Sequence, residues 1–220
     1  MSESQTASRL TRNMDTALAL LQQLDRTRSI NRLEHYQPYE FQVKFHHAEG
    51  YLQPGIKAEQ KALIAANGIG KTRVGGFETS YHLTGRYPNW WQGIRFTHAV
   101  NWLVASNTNE TTRDICQAEL FGNPEDDDAF GTGCIPLECI GKTTNKPGVP
   151  NAFDIVLVKH VSGGWSVCQF KAYEQGFKKF MGKKRDGSWL DEEPPQDIWS
   201  QVIRSTLSKK KTVIMLTLTP

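Results

Sequence analysis

What this sequence lacks narrows the classes of protein that it can encode. Its 220 residues contain four cysteines, with no C-x-x-C pair and no histidine pair nearby at zinc spacing. We therefore expect all four to be reduced thiols in a cytosolic protein. No apolar run is long enough to span a membrane, and the first ten residues contain no apolar segment of the kind found in signal peptides. The four cysteines are Cys116, Cys134, Cys139 and Cys168.

The sequence also has little excess charge of either sign. There are 26 Lys and Arg against 23 Asp and Glu, and 38% of the residues are hydrophobic. This composition is typical of a globular chain, and its length suits one α/β domain or one domain with an extension. A net charge of +3 is compatible with nucleic-acid contact but does not by itself indicate it.

The most informative stretch is residues 61–76, KALIAANGIGKTRVGG. An apolar run predicts a strand, the glycines predict a tight turn, and a helix can follow, which is the order of a phosphate-binding P-loop. Backbone N–H groups of such a loop, together with the positive end of the helix dipole, bind phosphates. One position departs from the usual pattern, since Ala65 replaces the first glycine. The alternative is an ordinary strand–turn–helix with a surface Lys-Thr pair.

Each residue of this loop has a predicted role. Lys71 is expected to contact the β- and γ-phosphates and to act in catalysis, and the Thr72 hydroxyl is expected to bind Mg²⁺. The residues predicted to bind nucleotide are Ala65, Ala66, Asn67, Gly68, Ile69, Gly70, Lys71 and Thr72.

A second nucleotide contact is predicted upstream of the loop. The spacing Pro38-x-x-x-Gln42, beside Tyr39 and Phe41, is similar to the adenine-reading Q motif of helicase-like ATPases. A glutamine amide can donate to and accept from the adenine edge, and an aromatic ring can stack on the base. The alternative is an amphipathic helix, with Pro38 in its first turn, that contributes aromatic residues to the core.

The segment WLDEEPP, residues 189–195, predicts the hydrolytic half of the site. A strand that ends in neighbouring carboxylates lets one hold Mg²⁺ and the next polarise water. We assign Asp191 to the metal and Glu192 to the water, with Glu193 as the fallback base. The apolar run before Asp191 is short, and the alternative is a solvated acidic patch. In the last predicted strand, Thr217 and Thr219 are candidates for sensing the γ-phosphate.

The remaining segments supply the frame. Leucines and a methionine at three- and four-residue steps predict an amphipathic helix over residues 7–27. Residues 122–152, rich in Gly, Pro, Asn, Asp and Thr, are predicted to be a loop region or the entrance to a helix. The basic segment 174–186 is predicted either to contact a polyanion or to be a solvated loop. Further predictions are helices over 71–83, 108–120 and 194–208, strands over 99–106 and 212–219, and a hairpin over 152–161 and 165–173.

Five stretches together resemble the large subunit of tailed-phage terminases. They are AANGIGKT (65–72), HLTGRYPNWW (82–91), KAYEQG (171–176), WLDEEPP (189–195) and LTLTP (216–220). The resemblance implies an ASCE-type P-loop NTPase fold, which is α/β with a mostly parallel central sheet and helices on both faces. It also implies ATP and Mg²⁺ as ligands, and a coupling role for residues 217–219.

The resemblance carries expectations for the whole protein. It implies a motor that packages double-stranded DNA into procapsids, a ring of identical subunits, and contact with a portal protein and a small terminase subunit in the host cytoplasm. Residues 1–35 would be a helical extension and residues 36–220 a truncated ATPase domain without the nuclease, so this chain should not cut DNA. Many terminase P-loops carry an arginine that this loop lacks. A helicase-like translocase and an inactive remnant acting as a binding module are the alternatives.

Overall fold

The computed structural model describes residues 13–14, 16–23, 31–51 and 53–220. Its centre is a seven-stranded sheet with the order β3–β9–β8–β4–β7–β6–β5. The first five strands in that order run parallel, whereas β6 and β5 are added antiparallel at one side. The strands of this sheet are β3 (Gln60–Ile64), β4 (Asn101–Ser106), β5 (Ile140–Asn145), β6 (Phe153–Lys159), β7 (Trp165–Ala172), β8 (Gly187–Asp191) and β9 (Val213–Leu218).

Beyond the helical residues near the amino end and several short 3-10 turns, the described fold contains four helices and a small hairpin. The hairpin pairs β1 (Glu49–Gly50) with β2 (Gln53–Lys57). Helix α3 changes its pitch along its length, because a π-helix follows its first turn. The helices are α1 (Glu40–His46), α2 (Lys71–Thr84), α3 (Asn109–Thr111, then the π-helix Thr112–Gln117, then Ala118–Phe121) and α4 (Gln196–Thr206).

Helices cover both faces of the sheet, as predicted. One core joins Val74 of α2 and Leu120 of α3 to Trp189 of β8. The other joins Ile198 and Val202 of α4 to the opposite face of the same strands. Helix α2 can approach β8 closely because residue 75 is glycine: a Cβ there would lie 2.3 Å from the Trp189 ring. This close contact sets the position of the P-loop helix on the sheet.

The parallel strands end at one edge of the sheet. Asp191 of β8 pairs with Thr217 of β9, and Ile64 of β3 pairs with Leu218 of β9. Because parallel strands share one carboxyl edge, the turns after β3, β8 and β9 meet there. Strand β9 lies between the P-loop strand and β8, so residues of β9 mediate the contact between the two predicted motifs.

One expectation from the sequence needs correction, and one predicted strand is longer than its short apolar run indicates. Residues 122–152 are not only loop, since they contain β5, which pairs with β6. Two of its residues, Thr143 and Thr144, are β-branched and suit a partly exposed strand. Strand β8 begins at Gly187 although small residues there weaken the strand pattern. Its five residues are buried, and a Cβ at Gly187 would lie 2.2 Å from the Trp102 ring, so glycine is required by packing.

The N-terminal helix prediction is tested only in part. Residues 16–23 are helical and exposed, whereas Leu10 and Leu24 of the predicted stripe lie outside the described residues. Pro38 precedes helix α1, whose N-cap is Tyr39. All four cysteines are free and buried, as expected for thiols. Within the described part of the chain, no helix combines the length and apolar character needed to cross a membrane.

Candidate nucleotide-binding site

The loop between β3 and α2 has the conformation of an anion-binding turn. Gly68 and Gly70 have φ values of 82° and 90°, in the left-handed region that glycine adopts without strain. Gly70 is the N-cap of α2, and no described side chain makes a capping hydrogen bond at that end of the helix. The amino end of a 14-residue helix therefore faces the loop with backbone donors available to an anion.

Lys71 lies inside this loop. Its Nζ donates to the carbonyl oxygens of Ala65 at 2.6 Å and Ala66 at 3.0 Å, and to Asn67 Oδ1 at 3.3 Å. The residue is 8% exposed, and its contacts are with neutral oxygens. An ammonium group held in this way can exchange those oxygens for phosphate oxygens without first breaking an ion pair. Thr72, the next residue of α2, is half-buried.

Asp191 is buried at the end of β8. Its Oδ1 accepts a hydrogen bond of 2.7 Å from Thr217 Oγ1, and that oxygen in turn accepts one of 2.9 Å from Trp189 Nε1. Burial raises the pKa of Asp191 to about 6, although the Thr217 hydrogen bond opposes the shift. Thr217 is fully buried, and its hydrogen bond fixes the position of this carboxylate.

Glu192 has an unusual backbone conformation. Its φ of 64° is in the left-handed region, which costs free energy for a residue with a side chain. Its carboxylate accepts from Thr219 twice, from the hydroxyl at 2.7 Å and from the backbone N–H at 3.0 Å. The Thr219 hydroxyl also lies 3.3 Å from Asn67 Oδ1 in the P-loop. Thr219 thus joins the loop to Glu192, while Glu193 is exposed.

Tyr173 supports the turn that follows β8. Its hydroxyl lies 3.2 Å from the carbonyl oxygen of Asp191 and 3.1 Å from that of Glu192. Tyr173 is buried and follows β7, two strands away in the sheet. The resemblance includes this residue within KAYEQG, but sequence reasoning gave it no role. Its position beside the strained residue could be found only from the strand order.

Gln42 lies against the loop. A Cβ on Gly70 would lie 3.1 Å from Gln42 Nε2. The amide oxygen accepts from Tyr39 N–H at 2.9 Å and from Tyr36 O–H at 3.2 Å. The buried Nε2 has no hydrogen-bond partner within the described part of the chain. Gln42 therefore offers a donor, whereas its acceptor is already used twice.

A buried charge cluster joins α1, α2 and β3. Glu78 lies 2.5 Å from Lys61 Nζ and 2.8 Å from His46 Nδ1, and His82 lies at 3.4 Å. Burial alone would raise the pKa of Glu78, but Lys61 and the two histidines outweigh it and hold that pKa below its usual range. Burial lowers the pKa of both histidines. No sequence motif pointed to this cluster.

The donor set fits a magnesium ion. Mg²⁺ in nucleotide sites is held by one or two protein oxygens, with water and phosphate oxygens completing the shell. Asp191 provides a buried carboxylate whose ionisation is disfavoured without a cation, and Thr72 provides a hydroxyl at the helix start. Among the described residues, no group of three or more His, Cys, Asp and Glu side chains could hold a metal by itself.

Taken together, the sheet order and the loop define a P-loop protein in which an extra strand separates the phosphate-binding strand from the strand that carries the carboxylates. Residues 62–220 match the family model for the terminase large subunit, T4likevirus-type, N-terminal. The chain therefore belongs to the terminase large subunit family, as the resemblance implied.

Individual relatives agree with this assignment. The chain is 34% identical over 220 residues to the terminase large subunit of Salmonella phage P22, covering 92% of this chain and 43% of that protein. The large terminase of a thermophilic bacteriophage has a similar fold, with a TM-score of 0.55, 12% identity, and coverage of 83% of this chain and 39% of that one. The same thermophilic phage protein in complex with ADP gives a TM-score of 0.52 at 11% identity, covering 82% and 39%. The chain thus spans less than half the length of these relatives.

Proposed function

We propose that this chain binds ATP with Mg²⁺ and hydrolyses it as the ATPase region of a terminase large subunit. One observation carries the proposal: Thr219 joins Glu192 of the carboxylate motif to Asn67 of the phosphate-binding loop. The family membership of residues 62–220 and the ADP complex of the thermophilic phage relative support it.

The side chains divide the chemistry among them. Loop amides from Ala65 to Gly70 and the Lys71 ammonium bind the phosphates, and Lys71 also neutralises charge that develops during hydrolysis. The Asp191 carboxylate and the Thr72 hydroxyl would hold Mg²⁺, which would supply positive charge to the bound phosphates. The carboxylate of Glu192 orients the attacking water and accepts its proton. Thr217 holds Asp191, and Thr219 couples Glu192 to the loop.

The whole protein is proposed to use this hydrolysis to drive double-stranded DNA into a procapsid. By the family pattern, it acts as a ring of identical subunits that contacts a portal protein and a small terminase subunit in the host cytoplasm. The P-loop here has no arginine. We therefore propose that a charge-stabilising arginine comes from elsewhere in the assembly.

The nucleotide half of the proposal is tested by equilibrium binding. A fluorescent ATP analogue is titrated into the wild-type chain, into Lys71→Met, and into Lys44→Met as a control that removes an exposed lysine of α1. We expect saturable Mg²⁺-dependent binding that Lys71→Met weakens by about 100-fold, since hydrogen bonds to charged groups contribute about 1.5 to 3 kcal/mol each. Equal binding by Lys71→Met and the control would refute the assigned role, and no binding by wild type would refute the function.

A further inference from the structure

The end of the sheet opposite the nucleotide site is strongly basic. Basic residues precede three parallel strands at their amino ends: Arg95 before β4, Lys183–Arg185 before β8, and Lys209–Lys211 before β9. These segments, with Arg204 near the end of α4, form the basic end. From Gly187 at this end, β8 extends roughly 13 Å to Asp191, at about 3.3 Å per residue.

Positive charge strongly predominates at the basic end. Its residues line three adjoining clefts of about 330, 310 and 400 Å³. Lys183 and Lys184 belong to the first two, and Ser208 belongs to the first and third. Eight lysines and arginines line these clefts against one carboxylate, Asp186, which is buried and paired with Lys209 at 2.8 Å. This excess is larger than the net charge of +3 of the whole chain.

Arg185 is a buried cation with no counter-charge in the described part of the chain. It is 2% exposed, and its guanidinium donates to Phe180 O at 3.3 Å and Gln169 Oε1 at 3.4 Å, both long for hydrogen bonds. No carboxylate pairs with it among the described residues, and burial lowers the pKa of Arg185 to about 10. The phosphate-binding Lys71 has the same arrangement, since it too is buried against neutral oxygens.

A neighbouring lysine experiences the same positive potential. The pKa of Lys171 is lowered to about 8 by burial and then by Arg185, with a further contribution from Lys183. Asp154 partly offsets this repulsion, but Arg185 and Lys183 both disfavour the charged form of Lys171, so an anion among these cations would lower their energy. The cleft lined by Lys183, Lys184, Arg185 and Gln169 provides space for that anion.

We propose that the basic end binds the phosphate groups of a nucleic-acid backbone, with Arg185 as the buried anchor and Lys183 and Lys184 as the exposed contacts. Lysines that neutralise phosphates bind without reading sequence, and lysine is depleted at the core of protein–protein interfaces. The proposal rests on the proposed function only in naming DNA as the polymer. It places the contact away from the P-loop, so that nucleotide and DNA would bind at opposite ends of the same strands.

The test is fluorescence anisotropy of a short labelled duplex over a series of salt concentrations. The test variant is Lys183→Glu/Lys184→Glu, whose lysines are both exposed. The matched control is Lys142→Glu/Lys159→Glu, which makes the same charge change at exposed positions of β5 and β6. We expect the test variant to lose about 10-fold or more in affinity and about two units of salt slope, whereas the control retains the slope.

Two variants, Arg185→Lys and Arg185→Gln, separate the effect of the positive charge of Arg185 from the effect of its packing. We expect Arg185→Lys to retain most duplex binding and Arg185→Gln to lose it at an unchanged melting temperature. Equal losses in the test and control pairs, or unchanged binding by Lys183→Glu/Lys184→Glu, would overturn the proposal. Binding of the ATP analogue is measured in the same samples. Loss of duplex binding with intact nucleotide binding supports the proposed role of the basic end. Absence of nucleotide binding with intact duplex binding counts against the proposed ATPase function only.

Discussion

Thr219 makes two hydrogen bonds to the carboxylate of Glu192: its hydroxyl donates to Oε1 and its backbone N–H donates to Oε2. Glu192 follows β8 with a strained backbone, and its carboxylate is held by Thr219, the residue that follows β9. The geometry makes the orientation of the proposed base depend on Thr219, which also contacts the P-loop.

Removing the Thr219 hydroxyl should impair hydrolysis more than binding. We expect Thr219→Val to reduce kcat by about 10- to 100-fold, since one of the two contacts that orient Glu192 is lost. Affinity for the ATP analogue should change little, because the phosphates are bound by other groups. Thr219→Ser keeps the hydroxyl and should keep most of the activity. If Thr219→Ser and Thr219→Val lose the same activity, the hydroxyl does not act through Glu192.

Asp191→Asn should stabilise the chain in the absence of ligands. The pKa of Asp191 is raised to about 6 by burial, so the folded state retains its proton between about pH 4 and 6, where the unfolded chain has released it. The contribution of Asp191 to stability is therefore lost as the pH rises through 6. We expect Asp191→Asn to exceed wild type by about 2 to 3 kcal/mol in free energy of unfolding near pH 8, and to match it below about pH 4.

The same substitution should abolish stabilisation by Mg²⁺ with nucleotide. Thermal unfolding with and without Mg²⁺ and ADP provides the measurement, and Asp127→Asn, an exposed change, is the control. We expect ligands to raise the melting temperature of wild type and of the control, but to have little effect on Asp191→Asn. A large Mg²⁺-dependent increase in that variant would show that Asp191 does not hold the metal.

Base recognition through Gln42 should favour purines without choosing between them. Its amide oxygen already accepts two hydrogen bonds, so only the Nε2 donor is free for a ligand. Both adenine and guanine present an acceptor at N7. We expect Gln42→Met, which keeps the side-chain volume, to weaken ATP and GTP binding by a similar factor of about 5. Weakening confined to ATP in parallel titrations would mean that both amide atoms read adenine.

The buried cluster around Glu78 should be a major determinant of stability. Glu78→Gln leaves the ammonium of Lys61 buried without its counter-charge, and breaking one partner of such a pair costs about 3 to 5 kcal/mol. Lys61→Met/Glu78→Gln removes both charges and should recover a large part of that loss. Urea unfolding measures both variants. A double variant no more stable than Glu78→Gln would show that the Lys61 charge is not the source of the cost.

Local motifs were sufficient to predict the loop, the carboxylates and most strands. Each motif can be recognised within a few residues: the loop by the apolar run before Asn67, and the carboxylates by the segment around Asp191. Strand β5 was missed because half-exposed threonines among turn-forming residues do not give a hydrophobic period. The contact of Tyr173 with the backbone of Glu192 could not be predicted, since it depends on which strands are neighbours.

The same limit applied to the threonines. Sequence assigned Thr217 and Thr219 one shared sensing role, but the structure gives them different contacts, a buried one with Asp191 and an exposed one with Glu192. Residues two positions apart in an extended segment have side chains on the same face. The register of β9 with β8 then determines which residue each side chain contacts. The Glu78 cluster likewise comes from three elements whose packing the sequence does not specify.

The most direct test of the account is ATP hydrolysis by Glu192→Gln, measured together with binding of the ATP analogue. The amide keeps the size of the side chain but cannot accept a proton from water. We predict that kcat falls by about 10²- to 10⁴-fold while nucleotide affinity stays within about 3-fold of wild type. Hydrolysis at the wild-type rate by Glu192→Gln, with binding intact, would contradict the assignment of Glu192 as the base.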